Sequence, residues 1–223
     1  MILILNCDFD TNAETNGAEL LKNQLKKLGE NSERFNVFEN QFPEDLKIYS
    51  GILITGSRAS VYEKADWIKK LSELVKSIDR LEIPTLGICF GFQIIAQSLG
   101  GEVKASGSFE EGFSEIELTP EGKKNFLFMG VSPKINVYQS HGDIATKLPE
   151  GSVVLSKNNH STQAYSIRNF SCVQFHPEVL PPTARKMALR DGKNIENILN
   201  SINDDYSETL NILYNFLKFC GNR

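Results

Sequence analysis

Two short runs in this sequence carry residue types that can do covalent chemistry together. The first is I-P-T-L-G-I-C-F-G-F-Q at 83–93. Its apolar stretch from Ile83 to Ile88 reads as a short buried strand, and beyond Cys89 the spacing turns helical through Phe90, Gln93, Ile94 and Leu99. Gly87 and Gly91 stand two residues either side of the cysteine, leaving room for a tight turn and close backbone approach. A thiol so placed sits on a nucleophile elbow, facing backbone N–H groups at the start of the next helix. Helix N-termini favour anions, a thiolate included. The alternative for Cys89 is a small buried hydrophobe.

The second run is C-V-Q-F-H-P-E at 172–178. A strand delivers His176 to its end, Pro177 restricts the backbone around it, and Glu178 can turn back to accept a hydrogen bond from the imidazole. Cysteine, histidine and glutamate are thereby available as nucleophile, base and orienter. The alternative for His176 is a hydrogen-bonded edge histidine. A metal reading lacks H-x-x-x-H and a third clustered ligand.

Two further segments can complete a site. Gly56, in I-T-G-S, ends a strand and can offer its N–H to a developing oxyanion, with the Phe90 N–H as second donor; Gly56 equally suits an ordinary turn. Y-Q-S-H-G-D at 138–143 reads as a polar loop after a strand, of the kind that lines sites, or as a turn capped by His141. His160, in N-N-H-S, reads as exposed. Neither G-x-G-x-x-G after a strand nor G-x-x-x-x-G-K-[ST] occurs, so dinucleotide and phosphate-loop readings lack their mechanical parts.

The elements that must position these residues alternate. Strands are expected at 2–7, 35–38, 49–55 and 83–88, and helices at 17–28, 65–81 and 90–99. Such alternation implies a mostly parallel α/β sheet covered on both faces, with its ligand site beyond the carboxyl ends of the strands. After Gly101 the pattern changes to β-prone pieces near 102–104, 114–118, 135–139, 152–156, 163–167 and 171–175. Turn signals such as T-P-E-G at 119–122 and L-P-E-G at 148–151 separate them. These read as antiparallel additions to the α/β core. The tail reads as a short helix at 182–190, a break at D-G-K-N, and a helix from Asp204 to Phe219 with Tyr206, Leu210, Leu213, Tyr214 and Leu217 facing inward.

A chain of 223 residues, 40% hydrophobic and 23% charged, has enough apolar material for one sizeable core, and residues 1–223 are expected to form a single domain. A net charge of -4 without a basic block argues against nucleic acid as a partner. Four cysteines without a C-x-x-C pair suggest a reducing compartment and no structural zinc. The leading M-I-L-I-L-N-C-D is too short for a signal peptide, and no apolar run reaches the roughly 18 residues of a membrane span. A cytoplasmic protein without membrane contact is expected.

These residues resemble the class I (triad) glutamine amidotransferase family. G-I-C-F-G-F-Q at 87–93 resembles its nucleophile motif G-x-C-x-G-x-Q, and V-Q-F-H-P-E at 173–178 its histidine-glutamate motif, in the family's order. The likeness runs from about residue 2 to residue 180 and is strongest to the amidotransferase domain of GMP synthetase and its stand-alone relatives. S-H-G-D at 140–143, E-G-F-S-E-I-E-L-T at 111–119 and Gln163-Ala164 also fit. The resemblance implies a flavodoxin-like three-layer sandwich: a mostly parallel central sheet flanked by helices, plus a small antiparallel sheet. It implies thioester hydrolysis of L-glutamine with Cys89, His176 and Glu178 as catalytic residues and Gly56 and Phe90 as oxyanion donors. Gln93 and the backbone around Gln139, Ser140 and His141 would hold the α-amino and α-carboxylate ends of the substrate. No cofactor or metal is implied.

Some segments depart from the family. D-F-D-T-N after the first strand lacks the histidine-glycine look of GMP synthetase, G-S-R-A-S-V-Y differs from G-G-P-x-S-V-Y, and residues 181–223 exceed a minimal module. With no ATP-pyrophosphatase segment within the 223 residues, an ATP-dependent synthetase subunit is the expected partner for released ammonia. The second reading is a stand-alone hydrolase of γ-glutamyl amides or peptides, and the third a non-catalytic binding or regulatory protein on the same scaffold.

Overall fold

Strict alternation along the first strand, β1 (Ile2–Asn6), divides the molecule into two faces. In the computed structural model, which describes residues 1–192, 196, 198, 201 and 207–221, Leu3 and Leu5 point into one apolar cluster and Ile2 and Ile4 into the other. β1 runs into α1 (Gly17–Lys27), whose first turn is capped by the Asn16 side chain accepting from the Glu19 N–H at 3.1 Å. β2 (Ser32–Asn36) follows, then β3 (Gly51–Ile54), α2 (Asp66–Arg80), β4 (Thr85–Ile88) and α3 (Phe90–Ser98). The second strand lies earlier than expected and ends at Asn36, where residues Val37–Glu39 close a 3-10 turn.

Beyond α3 come β5 (Glu102–Leu118), β6 (Lys134–Lys147), β7 (Val153–Lys157), β8 (Thr162–Ile167) and β9 (Phe170–Val173). α4 (Pro181–Arg190), opened by proline at its first positions, and α5 (Ser207–Gly221) complete the described elements. The nine strands form one sheet in the order β2-β1-β3-β4-β9-β8-β7-β5-β6. Its first five are mutually parallel, and the rest pair antiparallel. The antiparallel strands therefore extend the parallel sheet in series instead of standing as a small sheet of their own.

α2 and α3 cover one face: Trp67, Ile68, Leu71, Val75 and Ile78 share a cluster with Phe90, Phe92 and Ile94. α1 and α5 cover the other, through Ala18, Leu21 and Leu25 and through Ile212, Leu213, Phe216 and Leu217. The result is the expected α/β/α layering. α5 packs so closely on the sheet that a Cβ on Gly51 of β3 would stand 2.5 Å from the Cys220 sulfur. The inward stripe of α5 differs from the one read in the sequence, since Tyr214 is 48% exposed while Ile212 and Phe216 are buried. Tyr206 and the expected start at Asp204 lie outside the described residues.

The largest difference concerns β5 and β6. Three expected short pieces, 102–104, 114–118 and 135–139, are parts of two long strands, and Y-Q-S-H-G-D, expected as a loop, lies inside β6. The pair loses register between Ala105 and Glu110, where residues 106–109 leave the ladder and Phe109 packs over Gly142. No described helix is long and apolar enough to cross a membrane.

Candidate active site

The carboxyl ends of β1, β3, β4 and β9 open into one cavity of about 690 Å³, the location where open α/β sheets bind ligands. Its lining includes Asp8 after β1, Gly56 after β3, Cys89 after β4 and His176 after β9.

Cys89 joins β4 to α3 with φ +53° and ψ −101°, a conformation an L-residue adopts only when its surroundings impose it. Those surroundings are two glycines. A Cβ on Gly91 would stand 2.3 Å from the Ile54 carbonyl oxygen, and one on Gly87 2.5 Å from Ile95 Cδ1 and 2.7 Å from the Gly91 backbone. α3 can thus start directly against β3 and β4. The Cys89 N–H donates to Val173 O at 2.8 Å, and the Gln93 N–H donates to Cys89 O at 3.1 Å, pinning the turn to β9 and to its own helix. The sulfur lies 3.9 Å from the Ser140 carbonyl oxygen on β6. Phe90 buries its ring against Trp67, with centroids 5.4 Å apart. Its N–H belongs to the first helical turn, whose donors have no intrahelical acceptor.

β9 carries His176 into the same cavity, and the His176 N–H donates to Tyr138 O at 2.9 Å. Nδ1 is 2.8 Å from Glu178 Oε1, and this pair is almost fully buried. Glu178 lies against the first turn of α1, 3.6 Å from a Cβ position on Gly17, and its carbonyl oxygen accepts from Gln24 Nε2 at 3.1 Å. Burial opposes a charge on His176, but the Glu178 carboxylate and the Cys89 sulfur outweigh it and hold the imidazole well above the usual histidine value. Gly56 completes the contact, since a Cβ there would be 2.8 Å from His176 Cε1 and 3.6 Å from Cys89 Cβ. A side chain at position 56 would separate thiol from imidazole.

Of the residues singled out in the sequence, Cys89, His176, Glu178, Gly56, Gln93, Ser140 and His141 all line the cavity. Gln139 does not bring its side chain there. That amide is fully buried and donates to Gln163 Oε1 at 2.9 Å, and Gln139 is not part of the cavity lining. The Gln93 amide donates to Asp143 O at 3.0 Å and to Gln174 Oε1 at 3.2 Å. His160 is exposed in a loop.

The sequence reading missed the far wall. Asp8, Thr15, Gly17, Met187, Arg190 and Asp191 face the cavity opposite β6, together with Arg58. Arg190 of α4 pairs with Asp10, and its Nε and Nη2 reach Asp191 at 2.7 and 2.8 Å; Arg58 Nη2 reaches Asp191 at 2.9 Å. Burial raises the Asp8 carboxyl above its usual value despite N–H donors from Gly17 and Asp10. Asp8 was findable, because it follows the first parallel strand. Arg190 was not, because its partner Asp10 is 180 residues away.

A strained thiol and a histidine-carboxylate pair at the mouth of one cavity can attack a carbonyl carbon and shuttle the proton. A model of the family described as glutamine amidotransferase class-I matches residues 14–194. Gamma-glutamyl peptidase 4 of Arabidopsis thaliana is 35% identical over 157 residues, which are 67% of this chain and 62% of that protein. The glutamine-hydrolyzing GMP synthase of Aromatoleum aromaticum is 37% identical over 141 residues, 58% of this chain. The match spans 26% of that synthase, so this chain corresponds to a part of it. In fold, a glutamine amidotransferase of Thermotoga maritima superimposes with a TM-score of 0.83 at 21% identity, covering 100% of this chain and 98% of that one. The family model alone covers most of the sequence, including both motif runs, and the chain belongs to the class-I glutamine amidotransferase family.

Proposed function

We propose that this protein hydrolyses the side-chain amide of L-glutamine through a thioester on Cys89. The observation that carries the reading is the Cys89 elbow facing His176, itself 2.8 Å from Glu178, in one cavity. His176 takes the thiol proton and the sulfur attacks the γ-carboxamide carbon. The N–H groups of Gly56 and Phe90 receive the oxyanion, each worth roughly 3 kcal/mol of barrier. His176 passes its proton to the departing nitrogen, which leaves as ammonia. The same imidazole then deprotonates a water that cleaves the thioester, releasing glutamate and the thiol. Glu178 holds the ring's orientation and tautomer throughout. Gln93 offers its carbonyl oxygen to the substrate's α-amino group, and the backbone at Gln139, Ser140 and His141 receives the α-carboxylate.

Released ammonia would pass to an ATP-dependent synthetase subunit, as the likeness to GMP synthase suggests. A second reading, hydrolysis of γ-glutamyl amides or peptides, is favoured by the far wall. The cavity continues past His176 to Met187 and Arg190, leaving space for a leaving group larger than ammonia. Its chemistry is the same, with an amine in place of ammonia. Buried thiols at all four cysteines suit a reducing, cytoplasmic compartment.

Steady-state hydrolysis of glutamine against γ-glutamyl amides and dipeptides, with and without ATP-dependent synthetases, separates the readings. Glutamine turnover stimulated by a synthetase is the expected result. Preference for γ-glutamyl peptides selects the second reading, and absence of turnover on every substrate leaves a binding protein.

A further inference from the structure

A second histidine and carboxylate face each other beside the cavity, apart from the pair that serves Cys89. Glu110 of β5 and His141 of β6 are register partners. His141 Nε2 lies 3.2 Å from Glu110 Oε2, with side chains 2% and 9% exposed. The other ring nitrogen, Nδ1, lies 3.1 Å from the Asp143 carbonyl oxygen. Burial would push the Glu110 carboxyl up, but His141 and then Asn158 hold it below the usual carboxylate range, with exposed His160 adding slightly. Asn158 Nδ2 donates to Oε1 at 2.7 Å and Gln163 Nε2 to Oε2 at 3.2 Å.

What this pair holds in place is the strand beside the nucleophile. The Asp143 carbonyl accepts from His141 and also from Gln93, one helical turn after Cys89. A continuous path of contacts therefore runs from Glu110 through His141 and Asp143 to the elbow helix. Ser140 and Gly142 hang on that path, and the Ser140 carbonyl touches the Cys89 sulfur. Sheet pairing holds Ser140, His141 and Asp143 to β5 from one side only, and Gly142 has no partner there. β6 is the outermost strand, and its ladder to β5 is interrupted between Ala105 and Glu110.

We infer that Glu110 and His141 are a positioning pair: through Asp143 they set the spacing between the Ser140–Asp143 strand edge and the Cys89 elbow, and so the affinity for the glutamyl end of the substrate. The inference rests on the reading that this edge holds that end, and it gives Glu110 a role without contact to the reacting atoms.

The test compares wild type, Glu110→Gln, His141→Gln and the double variant. Glu110→Gln keeps the side chain's shape, so folding is preserved while the charge is lost. Two readouts are taken: steady-state kinetics on glutamine and a γ-glutamyl amide, and protection of Cys89 from iodoacetamide by the same compounds, which needs no turnover. Loss of the Glu110 charge should raise KM and the half-protecting concentration together by about five- to tenfold, with kcat little changed. In Glu110→Gln the rate of labelling without substrate should stay at the wild-type value, and the double variant should be no worse than the poorer single one. Unchanged KM and protection in Glu110→Gln, or a fall in kcat alone, overturns the inference. A wild type that is protected by glutamine yet hydrolyses nothing defeats the hydrolytic reading, while the shift in protection still decides this one. A wild type protected by neither compound defeats both.

Discussion

Four cysteines occupy this chain, and their surroundings separate them. Burial raises the Cys7 thiol far above its ordinary value, and it pushes Cys172 up to about 12 against donors from Tyr165 and Gly87. Cys220 is sealed between α5 and Gly51. Cys89 lines the cavity. The glutamine analogue DON should therefore label the native protein at Cys89 and nowhere else, read by peptide mass spectrometry; label at Cys7, Cys172 or Cys220 would count against the elbow. His176 gives a second expectation. Its imidazole binds a proton more tightly in the folded protein than its ordinary value of 6.5 in the unfolded chain. That contribution to stability is fully present below the unfolded value and fades as pH rises through the raised folded value. Glu178→Gln removes the largest raising cause, so the His176 ring-proton titration seen by NMR should move to lower pH. The Tm difference from wild type should be widest on the acid side and narrow toward alkaline pH. An unmoved titration would mean that Glu178 does not govern the ring.

At the level of elements, the elbow depends on how closely α3 approaches β3. Alanine normally improves a helix over glycine by about 1 kcal/mol. At Gly91 the added methyl would meet a backbone oxygen at 2.3 Å, which no side-chain rotation relieves. Overpacking of this kind costs about 1–3 kcal/mol, so the steric cost wins. Gly91→Ala is expected to lower Tm in thermal unfolding and to reduce turnover by moving Cys89, whereas a raised Tm would show that the elbow has slack. Across the cavity the wall is ionic. α4 is tied by Arg190 to Asp10, by Lys186 to Glu14 and, just past its end, by Asp191 to Arg58. Rim pairs such as Lys186–Glu14 are exposed and contribute little, while the Arg190–Asp10 contact is sheltered and does most of the holding.

Over the whole molecule, β1, β3 and β4 were legible because each is a short apolar run followed after a turn by a helical stripe, whereas β2, the polar run Ser32–Asn36, was placed too late. Cys89 and His176 could be placed at strand ends on that basis, and topology brings those ends together across β4 and β9. The antiparallel half was less legible. Tyr138–Asp143 is polar not because it is a loop but because its side chains feed a buried network of Gln139, Gln163, Glu110 and His141. Polar residues satisfied by partners far along the chain carry no local signature. The same holds for Arg190 and Asp10. The face of α5 was misjudged by a fraction of a turn, since Tyr214 is an aromatic at near-helical spacing that stays in solvent.

The central claim is that the Cys89 thiol and the His176 imidazole act on one substrate carbonyl. Hydrolysis of glutamine and of γ-glutamyl amides, measured side by side for wild type and Cys89→Ala at matched Tm, tests it most directly. Turnover by wild type and background rates for the variant are predicted; equal rates for the two proteins would contradict the account.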